Sequence, residues 1–170
     1  MEGFNLLNKA FDSRVRLGLM SILSVNEWIS YKEVKNLLDL TDGNLGKQEV
    51  IEFKGRQINV PRASGAVAFF SFGDLCSIPL GPGDYLLLAK RFRSIIISDV
   101  PVMTRQNQDL ARRFMVLIDA LYESKTYLIM SAAADPKNLY KGGDWGFEFD
   151  RTISRLLEMQ SVDYIESSRQ

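Results

Sequence analysis

Few side chains in this chain have both the type and the setting to do chemistry. There is no histidine and one cysteine, Cys76. Without imidazole, Ser-His-Asp, Cys-His and histidine-rich zinc arrangements are excluded, since each needs a group that shuttles a proton or ligates zinc near neutral pH. Cys76 sits among Phe72, Leu75 and Ile78, where a thiol is expected to be buried and inert. Glu148 and Asp150 flank Phe149. Such a carboxylate pair is the material of acid–base catalysis, yet it is more often a surface or capping pair. Arg112, Arg113, Arg151 and Arg155 carry the strongest chemical interest, because guanidinium groups stabilise a transferring phosphoryl group and can do so across an oligomer interface. The same arginines can instead pair with Asp109, Asp150 or Glu158 at helical or adjacent spacing. A phosphate cradle, Gly-x-x-x-x-Gly-Lys followed by serine or threonine, occurs nowhere in the 170 residues. No catalytic residue and no metal ligand is assigned, and the expected mode of action is binding.

Composition sets the frame in which these residues must be held. At 46% hydrophobic and 25% charged, the chain has the make-up of a folded domain with a sizeable core. Lysine plus arginine and aspartate plus glutamate both number 21, so no net field draws the chain to nucleic acid or anionic lipid. No apolar run reaches the roughly 18 residues of a membrane span, and the first residues lack the pattern of a signal peptide. A cytoplasmic protein is expected.

The elements alternate in type. Apolar residues at helical spacing from Phe4 to Leu23 predict an amphipathic helix, Ser30 with Glu33 a capping box opening a second, and Thr41 the N-cap of a third. The third loses its apolar period at Gly46, so residues 46–49 read as a junction before the strand-like run ending at Phe53, in which Val50 alternates badly. Strands are expected at Ile58–Val60 and Ala66–Phe72, a short helix capped by Ser71 and Asp74 and stopped by Pro79, and a helix over Asp84–Phe92. The runs Ile95–Ile97 and Tyr127–Met130 bracket a helix carrying Leu110, Phe114, Leu117, Ile118 and Leu121. Strand, helix, strand is a βαβ unit with parallel strands. Asp150 is read as the cap of a last helix, with Ile153, Leu156, Leu157 and Met159 on one face, and the tail after Ser161 has little to bury beyond Tyr164 and Ile165. The expected fold class is α/β: an N-terminal helix-turn-helix-like segment over residues 1–48, then an α/β module over 49–170 with a partly parallel sheet.

Two family resemblances attach to these parts. Phe11 to Gly18, Lys35-Asn36-Leu37-Leu38 and Thr41-Asp42-Gly43-Asn44-Leu45 resemble small winged-helix transcriptional regulators of the MarR/ArsR kind over residues 4–47. That resemblance implies DNA contacts from Arg14, Arg16, Lys32, Lys35, Thr41, Asn44 and Lys47. The first 50 residues nevertheless hold six basic and seven acidic side chains, a poor phosphate track.

From Gly55-Arg56 and Val60-Pro61-Arg62-Ala63 through Phe70-Ser71-Phe72, Leu75-Cys76 and Asp84-Tyr85, the chain is similar to the C-terminal part of the ZapE family of AAA-type P-loop ATPases. The same order continues through Val100-Pro101-Val102, Ala111 to Phe114, Leu117 to Tyr122, Ser154-Arg155-Leu156 and Glu158 to Ser161. The resemblance covers residues 55–165 and implies remodelling of partner proteins, in cell division or of mitochondrial respiratory subunits. ATP and magnesium are implied for a complete family member, and no cofactor is expected for this chain by itself. Asp99 ends a strand that imitates a Walker B strand, Ser131 stands where a sensor residue would, and Val100 takes the place of the catalytic glutamate. A protein partner, and possible oligomers, follow from that reading. Two unrelated resemblances meeting near residue 46 are also what a fused chain would give.

Overall fold

A computed structural model of the chain describes residues 47–53, 55–142 and 145–167. In them five strands form one sheet, in the order β1-β2-β3-β4-β5. The strands are β1 (Lys47–Phe53), β2 (Arg56–Ser64), β3 (Val67–Ser71), β4 (Ser94–Val100) and β5 (Tyr127–Ala132). The helices are α1 (Phe72–Cys76), α2 (Pro82–Arg91), α3 (Gln108–Glu123), α4 (Gly146–Glu158) and α5 (Val162–Ser167). β2 and β3 are antiparallel, while β3 with β4 and β4 with β5 are parallel, so the α/β class with a partly parallel sheet holds. The helices expected before residue 46 lie outside the described residues.

Local chemistry explains most boundaries. Ile95, Ile96 and Ile97 are buried, as an unbroken apolar run in the middle of a parallel set requires. Pro61 has no N–H to give, and the paired register of β2 with β3 starts just beyond it, at Arg62. Gly65, between β2 and β3, takes φ 59°, which a glycine adopts without steric cost. Ser71 and Asp74 form the expected capping box: the Ser71 N–H donates to Asp74 Oδ2 at 2.7 Å and the Asp74 N–H to Ser71 Oγ at 3.2 Å. That box turns the chain one residue early, so Phe72 begins α1 instead of ending β3. Pro82 opens α2, and Asp84 in its first turn accepts the Gly81 N–H at 2.8 Å.

The crossover β4-α3-β5 is the expected βαβ unit, and α3 is its packing centre. Ala111, Phe114, Leu117, Ile118 and Leu121 of α3 are buried, and α1, α2 and α4 all pack against this helix. The Phe114 ring lies 5.9 Å from Phe72 and 6.4 Å from Phe149, whose other neighbour is Tyr140 at 5.0 Å. The Tyr85 hydroxyl donates to the Leu75 carbonyl at 2.7 Å and binds α2 to α1.

Two expectations are corrected. Asp150 does not cap the last helix: α4 begins at Gly146 after Trp145, and Asp150 is exposed within it. Its buried stripe is Phe149, Thr152, Arg155 and Leu156, because Phe149 must reach the aromatic layer; Leu157 is turned to solvent. Residues 47–49 are strand and not a junction. The alternation there looked broken because Glu49 and Ile51 are the more buried positions and Val50 is exposed; the Glu49 carboxylate is held at 2.6 Å by Arg91 of α2.

Removing the ring at the centre of the aromatic layer should be costly. Phe114→Ala is expected to destabilise the fold by about 3–5 kcal/mol, read as a lowered urea midpoint at unchanged slope. A loss below about 1 kcal/mol would mean that α3 is not the packing centre.

Candidate functional site

The carboxyl ends of β3, β4 and β5 lie together, the place where open α/β sheets commonly bind ligands. Ser71 pairs with Ser98 in register, and Ile97 with Met130. Beyond this the register slips: Val100 faces Ala132, so β4 holds one residue more than β5. Asp99 is in this bulge, with φ 62°, a left-handed conformation that aspartate tolerates better than most residues. Its N–H donates to Ser131 Oγ at 3.0 Å. The structure thus brings Asp99 and Ser131 together, with the Asp99 residue exposed and Val100 returned to the core. Beyond the strands the two chain segments are stitched by Met103 N–H to the Leu139 carbonyl at 2.7 Å and Lys141 N–H to the Met103 carbonyl at 2.8 Å.

Part of the polar backbone at this end is already engaged. After β3, the Asp74 carboxylate takes the N–H and, at 2.6 Å, the hydroxyl of Ser71. Val100 is fully buried, so a carboxylate in its place would be desolvated. Among the described residues no group of three or more histidines, cysteines or carboxylates could hold a metal.

The four arginines separate by environment. Arg155 has a side chain only 10% exposed and pairs with Asp119 and, at 2.8 Å, with Glu123 of α3. Arg113 donates to the Cys76 carbonyl at 2.8 Å. Arg151 is 65% exposed and reaches Asp119 at 3.5 Å. Arg112 is exposed, with its guanidinium 5.9 Å from the Trp145 ring. The ion pairs of Arg151 and Arg155 therefore run between α4 and α3, not to the neighbours Asp150, Asp109 or Glu158 that spacing offered. Glu148 and Asp150 are both exposed while Phe149 between them is buried, the geometry of a helix surface. Of the residues proposed for DNA contact, Arg14, Arg16, Lys32, Lys35, Thr41 and Asn44 lie outside the described residues, and Lys47 is an exposed residue of β1.

Sequence reading missed Trp145 and Phe147. Phe147 is 88% exposed beside half-buried Trp145 at the start of α4. A signal existed: side chains two apart on a helix point in different directions, so a buried Phe149 places Phe147 outside. Among the described residues no helix is long and apolar enough to cross a membrane.

A mixed sheet with parallel strands, served by crossover helices that meet on α3, defines the class as an α/β protein. The AFG1-like ATPase family model matches residues 20–168, and the chain belongs to that family. The cell division protein ZapE of Escherichia coli is 32% identical over 162 residues, covering 91% of this chain and 43% of its own length. An uncharacterised protein of Schizosaccharomyces pombe is 37% identical, over 71% of this chain and 33% of its own, and the lactation elevated protein 1 homolog B of Danio rerio is 31% identical, over 75% and 32%. The chain spans less than half the length of these relatives. No solved structure matches it. The family match runs unbroken in extent from residue 20, so the likeness is wider than residues 55–165 and takes in much of the segment compared above with winged-helix regulators. One match across residue 46 favours a single-family chain over a fusion of two.

Cys76 is fully buried, and burial pushes its thiol from 9.0 up to about 12, against a smaller opposing pull from Arg113. A raised value means that the folded state favours the protonated thiol, so this contribution to stability is intact below pH 9.0 and is lost as pH climbs toward about 12. Native protein should therefore react with a disulfide reagent at pH 8 at least about a hundredfold more slowly than urea-unfolded protein. Equal rates would place the thiol at the surface.

Proposed function

We propose that this chain is the C-terminal, non-catalytic portion of a ZapE-like ATPase and acts by binding protein. The single observation that carries this reading is that the 170 residues hold no Gly-x-x-x-x-Gly-Lys loop to cradle a triphosphate. Nucleotide chemistry, in a complete family member, falls to other residues. Exposed Arg112 and half-buried Trp145, near the first turns of α3 and α4, are of the residue types that dominate protein-binding hot spots, and exposed Phe147 adds apolar area close to them. The partner is a protein acted on, or assembled with, during remodelling, in the setting that the ZapE name gives as cell division. Arg112 and Arg151 are the arginines able to reach a partner directly, and Arg113 and Arg155 are structural while their present pairs persist. A cytoplasmic or equivalent reducing compartment suits the unpaired Cys76.

The test is direct. The purified chain, titrated with a fluorescent ATP analogue and magnesium, should give no saturable binding at micromolar concentration and no ATP turnover above buffer. Tight magnesium-dependent binding would overturn the proposal. A DNA-binding role for residues 1–48 rests on the Thr41–Leu45 run, and predicts duplex binding that weakens steeply between two salt concentrations. An anisotropy titration without any such response removes it.

A further inference from the structure

The six residues of α5 have too few turns to be stable alone. Val162 and Asp163 are exposed, whereas Tyr164 is only 4% exposed. Its ring stacks on Tyr122 of α3 with centroids 5.4 Å apart, and its hydroxyl donates to the Tyr122 carbonyl at 3.0 Å. Tyr127, at the start of β5, donates its hydroxyl to the Ile165 carbonyl at 3.1 Å. Lys125 adopts φ 54° just past α3, and this left-handed turn sets its ammonium 4.2 Å from the Tyr164 ring and 5.3 Å from that of Tyr122.

Tyr122 links this anchor to an arginine. Its ring lies 4.9 Å from the Arg155 guanidinium, and the Glu158 carboxylate, by accepting from the Tyr122 hydroxyl, raises the phenol above its ordinary value, with burial adding to the effect. Arg151 and Arg155 both reach Asp119, yet their side chains are 65% and 10% exposed. Arg155 differs in having the Tyr122 ring against it and a second carboxylate, Glu123.

We infer that the C-terminal segment is a latch that governs access to Arg155. Closed, Tyr164 holds the Tyr122 ring by stacking, and that ring shields the guanidinium while Asp119 and Glu123 neutralise it. Open, Tyr122 loses its stacking partner and can turn away, leaving Arg155 reachable by an anionic group on another molecule. Guanidinium keeps its charge at every physiological pH, so cover, and not protonation, is the means by which such a group is switched. The latch is made of a handful of individually weak contacts on a short terminal helix, and segments of that kind open at far less cost than the core.

Arginine-selective dicarbonyl labelling of the full chain, read peptide by peptide by mass spectrometry beside amide hydrogen exchange, tests this. In the unaltered protein Arg155 should label about tenfold or more slowly than Arg151. Tyr164→Ala should bring the two rates within about threefold of one another and speed exchange over residues 161–167, with β4 and β5 still protected. Tyr164→Phe keeps the ring and loses the hydroxyl, and should label much as the unaltered protein does. Continued protection of Arg155 in a Tyr164→Ala protein whose tail exchanges freely would overturn the latch. So would equal labelling of Arg151 and Arg155 at the outset, or loss of strand protection in Tyr164→Ala, which would make Tyr164 part of the cooperative core.

Discussion

Burial of one face of α3 is the constraint that the other elements answer to. Ala111, Phe114, Leu117, Ile118 and Leu121 form a buried stripe against which α1, α2 and α4 pack. The aromatic side chains set how closely the layers approach: Phe72 on one side of Phe114, Phe149 on another, and Tyr140 beyond it. Because Phe149 has to enter this layer, α4 must start before it, and that requirement fixes which residues of α4 face inward. Arg155 is carried inward on the same stripe, and only the carboxylates of Asp119 and Glu123 on α3 make its burial tolerable.

The strand ends show how small local choices change what a familiar topology can do. A single extra residue in β4 turns Asp99 outward and Val100 inward, and Ser131 is engaged in holding the Asp99 backbone. At the end of β3, Ser71 and Asp74 form a helix cap in which the Asp74 carboxylate takes the Ser71 hydroxyl. The relatives are more than twice as long as this chain.

The arginines mark a difference between spacing and space. Counting along the helix offered Asp109, Asp150 and Glu158 as partners, all at plausible separations. Two helices lying side by side brought Asp119 and Glu123 nearer, and a buried guanidinium takes the partners that remain when water is excluded. Arg112, left at the surface, meets the ring of Trp145 instead. Residues of one type therefore hold different offices, and sequence alone assigned them a common one.

Elements whose cause is local were legible in the amino-acid sequence. The Ser71–Asp74 cap, the isoleucine run of β4, the apolar period of α3 and the parallel βαβ unit depend on neighbours within a few residues, or on a handedness rule that admits one solution. The buried Cys76 was legible for the same reason, since its apolar neighbours are adjacent in the chain. The sequence also carried the family motifs that the wider match upholds. Only the tertiary structure decided the inward position of Glu49 opposite Arg91, the bulge that joins Asp99 to Ser131, the start of α4, and the clasp of Tyr164 on Tyr122. Each of these is a contact between residues distant along the chain, where the deciding energy comes from what packing brings close, and no local pattern encodes that.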